Sequence, residues 1–199
     1  AAVTQAVPVG FLAEGMAGAI VPLLPVLAGA PLPSSLAISR VVHLAMSLGA
    51  LLLVFAFATG NHPLLVSGAL LLTLAFCVLI AATFIALLRT QSARDKLWTL
   101  GVGWAALLPA LLLGVYMVLG LAGYLPMPAL HQLVTLHLSW GLIGWVGVVL
   151  FAVLFQLLPI FYVTREFPRW LQIWFPSVIF SLLMLATLSN HLASGVLDI

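Results

Sequence analysis

"HLSWGLIGWVGVVLFAVLFQLLP", residues 137–159, decides the fold. Its 23 residues carry no charge, and glycines recur at 141, 144 and 147. A helix rises about 1.5 Å per residue, so about 20 apolar residues cross the ~30 Å hydrocarbon core of a bilayer. The same character extends along the whole chain. Of its 199 residues 5% are charged and 65% hydrophobic, whereas a soluble domain carries roughly 25% charged residues to cover its surface. β-Barrel strands would alternate apolar and polar positions in ~10-residue segments, and no stretch here does.

Six spans can be drawn, at about 5–27, 35–59, 64–88, 97–122, 130–158 and 171–194. The expected fold is therefore all-α, a polytopic transmembrane helix bundle forming a single transmembrane domain over 1–199. The breaks between spans are "AGAPLPSS", "TGNHP", "RTQSARDK", "AGYLPMP" and "TREFPRW". Four of the five contain prolines, which discourage continuation of the helix. The lone Cys77 lies inside an apolar run, so no intrachain disulfide forms.

The basic residues set the orientation. With alternating spans, Arg89, Arg94, Lys96, Arg165 and Arg169 fall in or beside the loops after the third and fifth spans. Arg40 lies a turn inside the same face, after the first. All six thus lie on one side, which the positive-inside rule makes cytoplasmic. Both ends of the sequence then face outward. The few basic residues have this topological task, and no nucleic-acid partner is expected; the bilayer is. The sequence opens "AAVTQAV", without a signal-peptide pattern, which suggests a fragment with one or more helices upstream.

One stretch repeats. "VGFLAEGMAGAIVPLLPVLAG" (9–29) lines up without gaps on "IGWVGVVLFAVLFQLLPIFYV" (143–163), setting Gly10 on Gly144, Phe11 on Trp145 and Leu23-Leu24-Pro25 on Leu157-Leu158-Pro159. The repeat unit is four helices in parallel orientation.

Polar groups inside spans are costly in lipid and so mark candidate sites. His131 and His137 head the fifth span, His191 returns near the outer face at the end of the sixth, and His62 falls in the tight outer loop. A six-residue spacing sets His131 and His137 about 120° apart on a helix. Imidazole is a ligand of b-type haem and of copper. The glycines below His137 leave a groove for a flat macrocycle, or else let helices pack closely. Histidines beside Trp140 at the membrane interface equally need no ligand. His131, His137 and His191 are the cofactor candidates, and His137 and His43 the metal candidates. His43 lies about 12 Å in from the cytoplasmic face, at 1.5 Å per residue. There it either binds a metal or bonds a neighbouring carbonyl while Arg40 snorkels. Glu14, the one carboxylate deep in a span, is either a proton-relay group or a protonated acid bonded to a neighbour; an isolated carboxylate there keeps its proton, because desolvation disfavours the charged form. No nucleophilic triad, phosphate loop, Cys-x-x-Cys-His or His-Glu-x-x-His occurs, and no residue is assigned a catalytic role.

The stretch "LHLSWGLIGWVGVVLFAVLFQLLPIFYVTREFP" (136–168) resembles a segment of bacterial membrane proteins similar to the NnrS family and, more distantly, to subunit I of haem–copper oxidases. "GAIVPLLPVLAGAPLP" (18–33) with "RVVHLAMSLGALLLVFAF" (40–57) resembles the earlier half of the same proteins. The resemblance covers about two thirds of the chain. It implies a larger, twelve-helix protein of four-helix repeats in the bacterial inner membrane. It also implies haem b or copper, electron transfer or nitrogen-oxide handling, and partner subunits of a redox complex. The paired histidines of an oxidase copper site are not visible, and the repeat places Val3, not a histidine, at the position of His137. A channel or transporter, and a cofactor-free structural subunit, are the alternative classes.

Overall fold

The computed structural model describes residues 5–29, 32, 34–89, 94–127 and 129–197, without the side chains of 26–28, 94–97, 191 and 193–197. The chain is all-α, about 90% helical, with no strand among the described residues. In order come a π-helical segment (Ala6–Ala13), α1 (Glu14–Ala28), α2 (Ser35–Thr59), α3 (His62–Arg89), α4 (Arg94–Leu121) and α5 (Leu130–Leu138). A second π-helical segment (Ser139–Gly147), α6 (Val148–Tyr162) and α7 (Arg169–Leu197) follow. Together they make six spans long and apolar enough to cross a membrane: Ala6–Pro25, Ser35–Thr59, His62–Arg89, Trp98–Leu121, Leu130–Tyr162 and Arg169–Asn190. Large apolar side chains such as Leu70, Leu112 and Leu182 are well exposed; in a bilayer such positions meet lipid rather than water. This is a multi-pass membrane protein.

The expected span limits differ from these at two prolines. His62 does not sit in a loop but opens α3, because Pro63 falls in the first turn, where a missing N–H costs nothing. Asn61 Oδ1 accepts from the Leu64 N–H (3.0 Å) and caps the turn, while Gly60 at φ +69 takes the left-handed conformation that ends α2. The fifth span runs past Pro159, which lies buried inside α6, to Tyr162. Pro22, Pro25, Pro109 and Pro176 are likewise helical. Prolines are tolerated in spanning helices, where neighbours re-satisfy the freed carbonyls.

Packing groups the helices into two compact units, Ala1–Ser92 with Gly114–Pro128, and Ala93–Leu113 with Ala129–Ile199. The core of the first unit is the α2–α3 pair. A Cβ on Gly68 would lie 2.9 Å from the Gly49 carbonyl oxygen and 3.0 Å from the Leu53 nitrogen, so the two backbones touch there. Such close approach is the use of small residues at membrane helix crossings. In the second unit α4 lies against the fifth span. A Cβ on Gly103 would meet Val149 at 2.7 Å, the tilted rings of Trp104 and Trp145 lie with centres 6.3 Å apart, and Trp140 donates from Nε1 to Thr187 Oγ1 at 2.9 Å.

The repeat seen in the sequence recurs in the backbone. The first π segment gives way to α1 at Glu14, and the second to α6 at Val148. At these junctions the Glu14 N–H reaches the Phe11 carbonyl and the Val148 N–H reaches that of Trp145. The two helices end in left-handed residues, Gly29 and Val163, each donating its N–H to a proline carbonyl, Pro25 and Pro159. The partner helices then begin at Ser35 and Arg169. Every one of these pairs is offset by 134 residues (148 − 14, 163 − 29, 169 − 35).

Candidate functional site

The first hairpin holds the most developed polar site. One face of α1 (Glu14, Ala17, Gly18, Val21) follows the i, i+3, i+4, i+7 spacing of a helix stripe. It meets Ser39, Arg40, Val42, His43 and Met46 on α2, and the two faces enclose a cavity of about 300 Å³. Gly18 leaves the space open, since among the described residues nothing lies within 4 Å of where its Cβ would be. Ser47 Oγ donates to Glu14 Oε1, and His43 Nδ1 lies 3.0 Å from the same oxygen. The carboxyl group is mostly covered, at 21% side-chain exposure, while the imidazole is 68% exposed. His43 thus bridges the covered carboxylate and the outside of the hairpin.

Two expectations change here. Glu14 is not isolated: the Ser47 hydroxyl and His43 Nδ1 both meet one of its oxygens. His43 pairs with that carboxylate instead of a carbonyl. Its metal candidacy gains one further ligand-type group, and among the described residues no three His, Cys, Asp or Glu side chains gather to hold a metal ion. The repeat makes the site particular to the first hairpin. Val148, Ser177 and Ser181 occupy the positions equivalent to Glu14, His43 and Ser47. Ser177 instead accepts from Trp98 Nε1 at 3.0 Å.

The histidines of the fifth and sixth spans are arranged differently. His137 is half-buried, with Nδ1 2.8 Å from the Ala110 carbonyl oxygen. A carbonyl only accepts, so Nδ1 carries the proton and Nε2 is the nitrogen left for a ligand. His131 is exposed a turn and a half earlier on the same helix. His191 has its backbone in α7, but its side chain lies outside the described residues. Val3 also lies outside them. The groove expected below His137 is filled about two turns further on. A Cβ on Gly144 would stand 2.9 Å from Leu183 Cδ1 and 3.0 Å from Ala106 Cβ, so this glycine serves helix packing. Trp140, expected at the interface, is 1% exposed and edge-on to Phe180 at 5.2 Å.

Ser47 was missed from the sequence. It stands four residues after His43 on the Arg40–His43 face, a spacing that would have flagged it. The fold and this site define an all-α, multi-pass membrane protein with a carboxylate–imidazole–hydroxyl cluster in one hairpin of a repeated pair. Comparison with protein-family models, curated proteins and solved structures found no match to the chain.

Proposed function

We propose that the chain handles protons within the membrane, with Glu14 and His43 as the relay pair. The observation that carries this reading is the 3.0 Å contact of His43 Nδ1 with the carboxyl oxygen that also accepts from Ser47. A proton arriving at the outward-facing Nε2 makes an imidazolium beside a carboxylate. Transfer of the Nδ1 proton to Glu14 then leaves neutral imidazole and neutral carboxylic acid, so no net charge is stranded in a low-dielectric setting. Ser47 holds the carboxyl group in position during the exchange. Arg40, at the cavity edge, keeps a cation near the carboxylate form. In the orientation read from the basic residues, His43 faces the cytoplasmic half of the membrane.

The test is proton flux into vesicles reconstituted with the chain, driven by an imposed membrane potential and read by an internal pH dye. Gly18→Leu fills the cavity without touching either titrating group. It is expected to lower the flux about tenfold or more, a barrier increase of about 1.4 kcal/mol or above. Unchanged flux in Gly18→Leu, or none above empty vesicles in the parent chain, would sink the relay.

A second reading is favoured by His137. The resemblance to NnrS-like and haem–copper oxidase proteins supports a redox role, electron transfer or nitrogen-oxide handling, within a larger complex. His137 would hold the haem iron or copper through Nε2, because its Nδ1–H is anchored on Ala110. Haem b or copper bound there would supply one-electron chemistry. If haem b is bound, His137→Ala should abolish or shift its visible spectrum and His62→Ala should not. A parent-like spectrum in the His137 variant would rule out this ligand.

A further inference from the structure

The two hairpins share a backbone plan but not their neighbours. In the second, the face of the fifth span made by Trp145, Val149, Ala152 and Pro159 is buried; Trp145 is 3% exposed and Val149 fully covered. The cover at its outer end is α4, through Gly103 against Val149, Ala106 against Gly144, and Trp104 against Trp145. The equivalent positions in the first hairpin, 134 residues earlier, are Phe11, Gly15, Gly18 and Pro25. All four are exposed, Phe11 by 77%, and among the described residues nothing lies within 4 Å of a Cβ on Gly15 or Gly18. Their spacing (i, i+4, i+7, i+14) keeps them on one side of the span.

We propose that this face of the first span is a docking face for a transmembrane helix of the α4 kind, supplied from outside these 199 residues. The occupant is specified by what covers the same face in the other copy: an apolar spanning helix whose small residues, at the Gly103, Ala106 and Ala110 spacing, allow backbones to approach. Small residues are present on the receiving side too, at Gly15 and Gly18. Without a partner these two glycines have no packing role, whereas their counterparts Val149 and Ala152 do. Lipid chains would fill such a slot poorly, because association inside a bilayer is driven by close packing. The docked helix would also wall the cavity at Gly18, so the Glu14–His43 pair would be completed by it. The docking proposal itself does not depend on the proton reading.

The experiment places photoreactive benzoylphenylalanine at Phe11 in the reconstituted chain. The probe is a synthetic peptide of residues 97–122, the α4 sequence itself. Illumination is expected to give a one-to-one chain–peptide adduct, reduced about tenfold by Gly103→Leu with Ala106→Leu in the peptide, or by Gly15→Leu in the chain. The same label at Phe84, exposed on α3, should give little adduct. Equal adducts at both positions, adducts indifferent to the glycine changes, lipid adducts alone, or chain–chain dimers that the peptide does not displace would each overturn the proposal. The Phe11 label replaces one exposed aromatic ring with another, so a negative result is not attributable to misfolding.

Discussion

Gly68→Ala is expected to lower the thermal midpoint of the purified chain more than any other alanine substitution at a glycine. The added methyl would stand 2.9 Å from the Gly49 carbonyl oxygen, 3.0 Å from the Leu53 nitrogen and 3.1 Å from Leu52 Cβ. Two of these neighbours are backbone atoms of a helix, which cannot swing aside as a side chain can. Either α2 and α3 separate, losing the close contact along their crossing, or the backbone bends. Overpacking of this kind costs about 1–3 kcal/mol, and rigid neighbours put it at the upper end. Gly144→Ala is a graded comparison, since one of its two nearest neighbours is the flexible end of Leu183. Gly101→Ala is the control: nothing lies within 4 Å, and alanine is the better helix former by roughly 0.5–1 kcal/mol. Thermal unfolding of the three variants in one detergent checks the order. A Gly68→Ala midpoint equal to the parent's would mean that the helices are not in backbone contact.

The second large effect concerns Glu14. Glutamine keeps the size of the side chain and an oxygen to accept from Ser47 and His43, so Glu14→Gln should insert and fold like the parent. It cannot take up or release a proton, and the flux described above should fall to that of empty vesicles. Glu14→Leu removes the acceptor as well, leaving the partly covered Ser47 hydroxyl and His43 Nδ1 without that partner. The pair of variants separates a chemical role from a structural one. Full flux in Glu14→Gln would reduce the residue to a hydrogen-bonding bridge between α1 and α2.

Much of the fold was legible because hydropathy and loop chemistry are local. The second span, 35–59, agrees with Ser35–Thr59, and the others differ by a few residues at their ends. The misplacement at His62 has a physical cause: Pro63 belongs to the break "TGNHP", yet in the first turn of a helix its missing N–H costs nothing. The fifth span's end, expected at 158, falls at Tyr162, and the sixth's, expected at 194, at Asn190. The repeat was also legible, through Gly10, Pro25 and their partners. The site was only half visible. Glu14 and His43 stood out singly, because ionisable groups in apolar spans do. Their pairing did not, since residue counting set them one to two helical turns apart in depth and shows neither stagger nor side-chain reach. The Gly49–Gly68 contact had no signal of its own among 16 glycines. The π segments had none either, because a short i→i+5 stretch leaves the apolar pattern intact.

Those two π segments end at matching places, Ala13 in one hairpin and Gly147 in the other. π turns are rare and frequent at functional sites. Here each hands over to the helix at the position where one hairpin carries Glu14 and the other Val148. The same backbone device therefore presents an ionisable group in one copy and an apolar one in the other.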